Sequence, residues 1–131
     1  EIYPKLYLTI DNNSEMLQVL KVKKDKYNLD IENFSNISRE NLMKKFSSCN
    51  ALIYPSLFES YGLPLVEAQM MGIDVIASEL DFVRDMIDPS ETFNPHSSIS
   101  IARAVKRYMK HSDIKTVIIR PQEMIDYLLL D

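Results

Sequence analysis

The chain has 131 residues, enough for one domain with a sizeable core, and 46% of them are hydrophobic. A net charge of −4, from 15 basic and 19 acidic residues, argues against a general nucleic-acid binder. The single cysteine, Cys49, excludes an internal disulfide and suits a reducing compartment. No apolar run approaches the roughly 20 residues of a membrane-spanning helix. These features are typical of a globular domain that folds without disulfides.

The first part of the chain predicts two strand–helix pairs. Strands are expected at residues 5–10 and 29–34, where short apolar runs end in turn-forming residues. Helices are expected from residue 15 to about 24 and at 39–48. Ser38 is a good N-cap for the second helix, because its hydroxyl can accept a hydrogen bond from an otherwise unpaired backbone N–H.

Strands and helices continue to alternate in the rest of the chain. The expected strands and helices are, in order, a strand at 51–54, a helix from Pro64, a strand at 74–77, a short helix at 82–87, a strand at 91–93, a helix at 99–110, a strand at 116–119 and a helix at 121–130. This alternation predicts an α/β fold with a Rossmann-like parallel sheet and helices on both faces. In such sheets, ligands bind beyond the carboxyl ends of the strands.

The segment between Tyr54 and Gly72 carries the strongest candidate site. It places Glu59 and Glu67 with seven residues between them, around a helix that Pro64 is expected to begin. A helix N-terminus favours anions, so two carboxylates beside it predict a site for a ligand with central phosphates and hydroxyl-rich groups on both sides. A nucleotide sugar has this layout. Spacing alone leaves a structural role open, because a glutamate early in a helix also complements the helix dipole.

The stretch PSLFESYGLPLVEAQMMGIDVIAS resembles the sequence pattern of retaining glycosyltransferases of the GT-B fold, family 4. The match has no gaps, and weaker similarity extends across most of the chain. The matching residues are Pro55, Ser56, Glu59, Ser60, Tyr61, Gly62, Leu63, Pro64, Glu67, Ala68, Gly72, Val75, Ile76, Ala77 and Ser78. The resemblance implies the nucleotide-sugar-binding, C-terminal domain of a two-domain enzyme.

The resemblance also implies a role for individual residues. Glu67 is expected to hold the ribose hydroxyls of the nucleotide, and Glu59 to contact the transferred sugar as the catalytic candidate. The backbone amides of Tyr61, Gly62 and Leu63 are expected to receive sugar and phosphate oxygens of the donor. Ser60 belongs to the same donor-binding stretch, and Phe34 and Ile37 are expected beside the base. The implied reaction retains the anomeric configuration and needs no metal or other cofactor. Accordingly, the two histidines, His96 and His111, show no paired ligand spacing.

Some parts of the family pattern are missing from this sequence. The chain starts at Glu1 and is expected to begin at the second strand of the domain. An Arg and a Lys that neutralise the leaving diphosphate, and the N-terminal acceptor-binding domain, are then expected elsewhere in a longer polypeptide. Because stabilisation of developing charge is usually a dominant catalytic term, the isolated chain is expected to show little or no transferase activity. Ser35 and Asp74 replace the Gly and Pro usual in the family.

The full-length protein is expected in the cytoplasm, in the synthesis of a cell-surface polysaccharide or glycolipid. Peripheral association with the inner face of the membrane stays open. One alternative is a non-catalytic nucleotide or nucleotide-sugar binding module of the same fold. Another is a receiver-like or dinucleotide-binding α/β domain, although no Gly-x-Gly-x-x-Gly follows any predicted strand. The sequence does not name the sugar, the base or the acceptor.

Overall fold

The computed structural model describes residues 4–59 and 61–110. Ser60, His111, the strand predicted at 116–119 and the helix predicted at 121–130 lie outside the described residues. The chain divides into two compact units, the first ending at Cys49 and the second beginning at Asn50. Every strand pairing in the described part is parallel, as the alternation of strands and helices predicted.

The first unit contains, in chain order, β1 (Leu6–Leu8), α1 (Glu15–Tyr27), β2 (Ile31–Asn33) and α2 (Arg39–Phe46). The two strands pair side by side, with Leu6 opposite Ile31. Both helices begin at a serine whose hydroxyl accepts a backbone N–H, at 3.2 Å for Ser14 and 3.3 Å for Ser38. The prediction of Ser38 as an N-cap is therefore confirmed.

Both strands of the first unit are shorter than predicted, and after β1 a side chain bonds the backbone in place of a strand partner. The Ile10 N–H donates to Asn33 Oδ1 at 2.8 Å, and Asn33 Nδ2 donates to the Ile10 carbonyl at 2.9 Å. Helix α1 is longer than predicted and ends at Tyr27. Asn28 then adopts a left-handed conformation with φ of 49°, which asparagine tolerates better than most residues, and its N–H caps the Lys24 carbonyl.

The second unit contains, in chain order, β3 (Ala51–Tyr54), α3 (Leu63–Met70), β4 (Asp74–Ser78), α4 (Asp81–Arg84), β5 (Glu91–Phe93) and α5 (Ser98–Tyr108). Its strands lie in the order β3-β4-β5, so β4 is central. Four consecutive residues of β4, from Val75 to Ser78, are buried, as expected for a strand covered on both faces. Ile76, Phe93 and Ala104 form a core cluster in which α5 packs on β4 and β5.

The predicted bounds of β3 and β5 are confirmed, while the helices of this unit differ. Helix α3 begins at Leu63, one residue before Pro64, because Gly62 takes a left-handed N-cap conformation that already turns the chain into the helix. The helix predicted at 82–87 is the shorter α4, and α5 begins one residue earlier than predicted, after the cap Ser97. Gly72 has φ of 67°, which confirms the predicted left-handed end of α3.

None of the helices within residues 4–59 and 61–110 is long and apolar enough to cross a lipid bilayer.

Candidate functional site

The candidate site is built on the connection between β3 and α3. The strand ends at Tyr54, and Pro55 follows, which has no N–H to continue the ladder. In the loop, Ser56 Oγ donates to the Phe58 carbonyl at 3.0 Å and so forms a local turn. Because β3 is parallel to β4, the loop leaves the sheet at its carboxyl edge, where ligands bind in this class of fold.

The carboxylate of Glu59 lies within this loop and is held by the strand before it. Tyr54 Oη donates a hydrogen bond to Glu59 Oε2 at 3.2 Å, and both residues are half-buried. Burial, chiefly, and then the adjacent Glu59 carboxylate raise the pKa of the Tyr54 hydroxyl. The hydroxyl therefore stays protonated at neutral pH and remains a donor. The sequence predicted Glu59 but not this partner.

The N-cap of α3 is Gly62, which is buried and has φ of 50°. The Gly62 carbonyl accepts the Leu65 N–H at 2.8 Å and the Val66 N–H at 3.3 Å, and Pro64 has no N–H. A Cβ added at Gly62 would lie 2.7 Å from Met86 Sδ. Any other residue here would be strained by the left-handed backbone and would also displace the Met86 side chain. Because glycine has no side chain, no side chain caps this helix end, and a helix N-terminus favours anions.

Glu67 is the fifth residue of α3, not the fourth as predicted, because the helix begins earlier. At about 1.5 Å per residue it lies about 6 Å along the axis from Leu63. It is half-buried. The helix that carries it is anchored by Leu65 and Ala68, which are both fully buried, so the backbone position of Glu67 is set by core packing.

Several apolar side chains of the same segment are exposed, which the sequence analysis did not predict. Phe58 is 83% exposed and Tyr61 76%, and Leu57 and Leu63 are also largely exposed. The predicted role of Tyr61 and Leu63 concerned their backbone amides alone. The sequence could have indicated the exposure of Leu57, Phe58 and Tyr61. These residues lie in an irregular loop, which has neither a helix nor a strand period and so no face directed at a core. Exposed apolar residues grouped in this way are typical of a surface that binds a ligand or another protein.

An ion-pair cluster follows the carboxyl end of β4. Arg84 donates to both carboxylate oxygens of Glu79, at 2.9 Å from Nε and 2.8 Å from Nη2, and to Asp88 Oδ1 at 3.1 Å. The hydrogen bonds that Glu79 accepts from Arg84, followed by a side-chain hydrogen bond with Thr92, lower the pKa of Glu79 from 4.5 to about 2. The four-residue spacing of Arg84 and Asp88 could have indicated one of these pairs from sequence. The Glu79 pair has no such helical spacing.

Phe34 and Ile37, the residues predicted to lie beside the base, belong to the first unit. The Phe34 ring lies 5.7 Å from the Tyr7 ring, and Lys45 Nζ lies 5.1 Å and 4.4 Å from the centres of these rings. Phe34 and Ile37 are half-buried in the loop after β2. The Lys45 ammonium is therefore within cation–π distance of both rings. The assignment of these two residues to the base stays a prediction.

The described residues contain no group of three or more His, Cys, Asp and Glu side chains that could hold a metal ion. His96 is exposed. The candidate site offers carboxylates, backbone amides and a helix N-terminus, which together suit a ligand with hydroxyl groups and an anionic group.

The chain is similar to several known proteins. Three relatives from Escherichia coli, each named serotype-specific mannosyltransferase WbdA, are 28% identical over 72 residues. The aligned region is 54% of this chain and 9% of each relative, so the chain spans less than a tenth of their length. Sucrose-phosphate synthase from Thermosynechococcus elongatus has a similar fold, with a TM-score of 0.64 and 24% sequence identity. That similarity covers 80% of this chain and 29% of the synthase.

The family model for glycosyl transferases group 1 matches residues 2–126. This range includes both units, the Glu59–Glu67 pair and the glycine that begins α3. The match extends over nearly the whole chain, and this protein therefore belongs to the glycosyl transferases group 1 family.

Proposed function

We propose that the chain is the nucleotide-sugar-binding part of a retaining glycosyltransferase of the GT-B fold, family 4. The observation that carries the proposal is the position of two glutamates around one helix end that no side chain caps. Glu59 precedes the N-terminus of α3 in the loop, and Glu67 lies in the second turn of the helix behind the left-handed Gly62. A donor with a diphosphate between two hydroxyl-rich groups has its charges and hydroxyls in the same order.

In this proposal Glu67 accepts hydrogen bonds from the two ribose hydroxyls. A carboxylate has two oxygens for a cis-diol, and such charge-assisted hydrogen bonds are the stronger kind. The backbone around Tyr61, Gly62 and Leu63 receives phosphate and sugar oxygens, helped by the positive end of the helix dipole. Ser60, between Glu59 and these amides, belongs to the same stretch of the proposed site.

Glu59 contacts the transferred sugar and is the proposed catalytic group. Transfer retains the anomeric configuration and proceeds without a bound metal, so charge on the leaving diphosphate must be balanced by protein groups. Within the proposed site the groups available for this are the α3 N-terminus and nearby backbone amides. The cations that the family resemblance implies for this task belong to a preceding strand and loop, and the acceptor to a separate N-terminal domain.

The proposed substrate is a nucleotide-activated hexose, used to build a cell-surface polysaccharide or glycolipid. Support comes from the relatives in Escherichia coli, whose name describes a serotype-specific mannosyltransferase. The first donor to test is therefore an activated mannose, GDP-mannose. The second is UDP-glucose, which differs from it in both sugar and base.

The test is calorimetric binding of GDP, UDP and ADP to the chain and to its Glu67→Gln variant. We expect one nucleotide to bind, and its affinity to fall by about 1–3 kcal/mol in Glu67→Gln, because a neutral amide is a weaker acceptor for the ribose hydroxyls. Glu15→Gln is the matched control, since Glu15 is an exposed glutamate in the first turn of α1. Equal affinity of the wild-type chain and Glu67→Gln would remove Glu67 from the site. Failure of the folded chain to bind any of the three would contradict the proposal.

A further inference from the structure

The hydroxyl of Tyr54 connects a packed strand to the loop carboxylate of Glu59. Tyr54 is the last residue of β3 and lies opposite Ala77 of β4 in the parallel ladder. Its carbonyl accepts the hydroxyl of Ser78 at 3.4 Å, and Ser78 is fully buried. Tyr54 is thus held on its backbone side by the central strand, while its side chain reaches forward to Glu59 Oε2 at 3.2 Å.

The loop that carries Glu59 is less constrained by packing than the strand. Its neighbours Leu57, Phe58 and Tyr61 are 55%, 83% and 76% exposed. The turn that Ser56 makes with the Phe58 carbonyl is local to the loop and does not reach the sheet. A carboxylate on such a loop needs a link to a rigid element if it is to keep one orientation, because catalytic groups must be held within a fraction of an ångström.

We infer that Tyr54 is a positioning residue, which holds the Glu59 carboxylate in the orientation from which Glu59 contacts the transferred sugar. This inference rests on the proposed function, because it takes Glu59 to face the sugar. Burial and the adjacent carboxylate both raise the pKa of Tyr54, so the phenol stays protonated and donates throughout the neutral range. The link therefore needs no change of protonation state to act.

The variant that tests the inference is Tyr54→Phe, which keeps the ring and removes the donor. We expect its affinity for GDP-mannose or UDP-glucose to fall about threefold to tenfold, the usual effect of losing one hydrogen bond. The affinity for the corresponding nucleotide, GDP or UDP, should change by less than about twofold, because Glu59 is assigned to the sugar and not to the nucleotide. If Tyr54 has only a structural role, Tyr54→Phe should lower the affinity for the nucleotide sugar and for the nucleotide by the same factor.

Tyr108→Phe is the matched control. Tyr108 Oη donates to the Asp74 carboxylate at 2.9 Å and to the Asn50 carbonyl at 3.1 Å. The Tyr108–Asp74 contact is therefore a second hydrogen bond from a tyrosine to a carboxylate in the same unit. Asp74 begins β4, at the end of the strand opposite to Ser78. This variant is expected to leave the affinity for both ligands unchanged.

A double-mutant cycle then shows whether Tyr54 acts through Glu59. In a Glu59→Ala background, Tyr54→Phe should cause no further loss of nucleotide-sugar affinity, because there is no carboxylate left to position. A full additional threefold to tenfold loss in that background would overturn the inference. So would an unchanged nucleotide-sugar affinity in Tyr54→Phe alone.

NMR relaxation of the backbone amides separates this inference from the proposed function, because it needs no ligand. Tyr54→Phe should lower the order parameters at residues 57–59, while those within β3 and β4 stay as in the wild type. Unchanged order parameters in the loop, or an equal fall in the strands, would overturn the link. If no nucleotide binds the wild-type chain, the donor site itself is contradicted, and the relaxation result alone decides whether Tyr54 holds Glu59.

Discussion

The two units of the chain are stabilised in different ways. Among the described residues, the first unit has two buried apolar side chains, Leu17 and Ile31, whereas the second has ten. In the first unit, the Asn33 side chain bonds the backbone at Ile10, and Lys45 lies against aromatic rings. In the second, β4 is buried along four consecutive residues. The Glu59–Glu67 segment therefore belongs to the unit with the denser core, which suits a site that needs fixed geometry.

The largest difference between the units should appear when one core side chain is shortened in each. Ile76→Ala, at the centre of β4, is expected to lower the free energy of unfolding by about 2–5 kcal/mol, because it leaves a cavity among close-packed neighbours. Ile31→Ala in β2 should cost about 1–2 kcal/mol, since few buried residues surround it. Urea denaturation followed by circular dichroism measures both.

Equal losses for the two variants would contradict the contrast between the units. If Ile76→Ala does not fold, Ile76→Val and Ile31→Val replace the pair, and the loss of about 0.5–1.5 kcal/mol expected for Ile76→Val should exceed the loss for Ile31→Val.

An intermediate effect is expected at the glycine that begins α3. Gly62→Ala should lower the free energy of unfolding by about 1–2 kcal/mol, because an L-residue is strained at φ of 50°. The added Cβ would also lie 2.7 Å from Met86 Sδ, which must move away. Gly72→Ala is the matched control: it has φ of 67° and nothing within 4 Å of the added Cβ. Thermal denaturation should show the larger loss for Gly62→Ala, and a larger loss for Gly72→Ala would contradict the role of the Met86 contact.

The smallest effect is expected from the exposed ion pairs, and it depends on pH. The pKa of Glu79 falls from 4.5 to about 2 in the folded chain, mainly through its hydrogen bonds from Arg84. A lowered carboxyl pKa stabilises the fold above about pH 4.5, and this contribution is lost as the pH falls through 2. The thermal midpoint of the wild-type chain should exceed that of Glu79→Gln at pH 6, and the two should converge near pH 2.

Glu40→Gln provides the control for that experiment in the first unit. Glu40 pairs with Lys44 at 2.6 Å, and both side chains are largely exposed, at 77% and 69%. A single exposed pair on one helix contributes less than a two-point Arg–carboxylate contact, so a smaller difference at pH 6 is expected. A constant difference between wild type and Glu79→Gln from pH 6 to pH 2 would contradict the role of the Arg84 contact.

The sequence predicts those features of the fold that a few neighbouring residues determine, but it does not predict the residue at which α3 begins. The bounds of β3, the Ser38 cap and the left-handed Gly72 each depend on a few neighbouring residues. The start of α3 was placed one residue late, because the pattern at Pro64 does not show that Gly62 already turns the chain.

The candidate site shows the same limit. The Glu59–Glu67 spacing is visible in the sequence, and so is the resemblance that gives each glutamate a role. The hydrogen bond from Tyr54 to Glu59 depends on the path of an irregular loop, and the one from Ser78 to Tyr54 joins residues 24 positions apart across two strands. Neither follows a helix or strand period, so sequence pattern could not predict them.

Chemical-shift mapping shows whether the donor nucleotide binds at the N-terminus of α3, as we propose. The chain, at 15.2 kDa, is small enough for assigned amide spectra, recorded while GDP, UDP or ADP is added. We expect one nucleotide to cause its largest shifts at the amides of Gly62, Leu63 and Glu67, and Glu67→Gln to weaken this response. Largest shifts elsewhere, for example along α1 around Val22 and Lys26, would place the nucleotide at another site and contradict the claim.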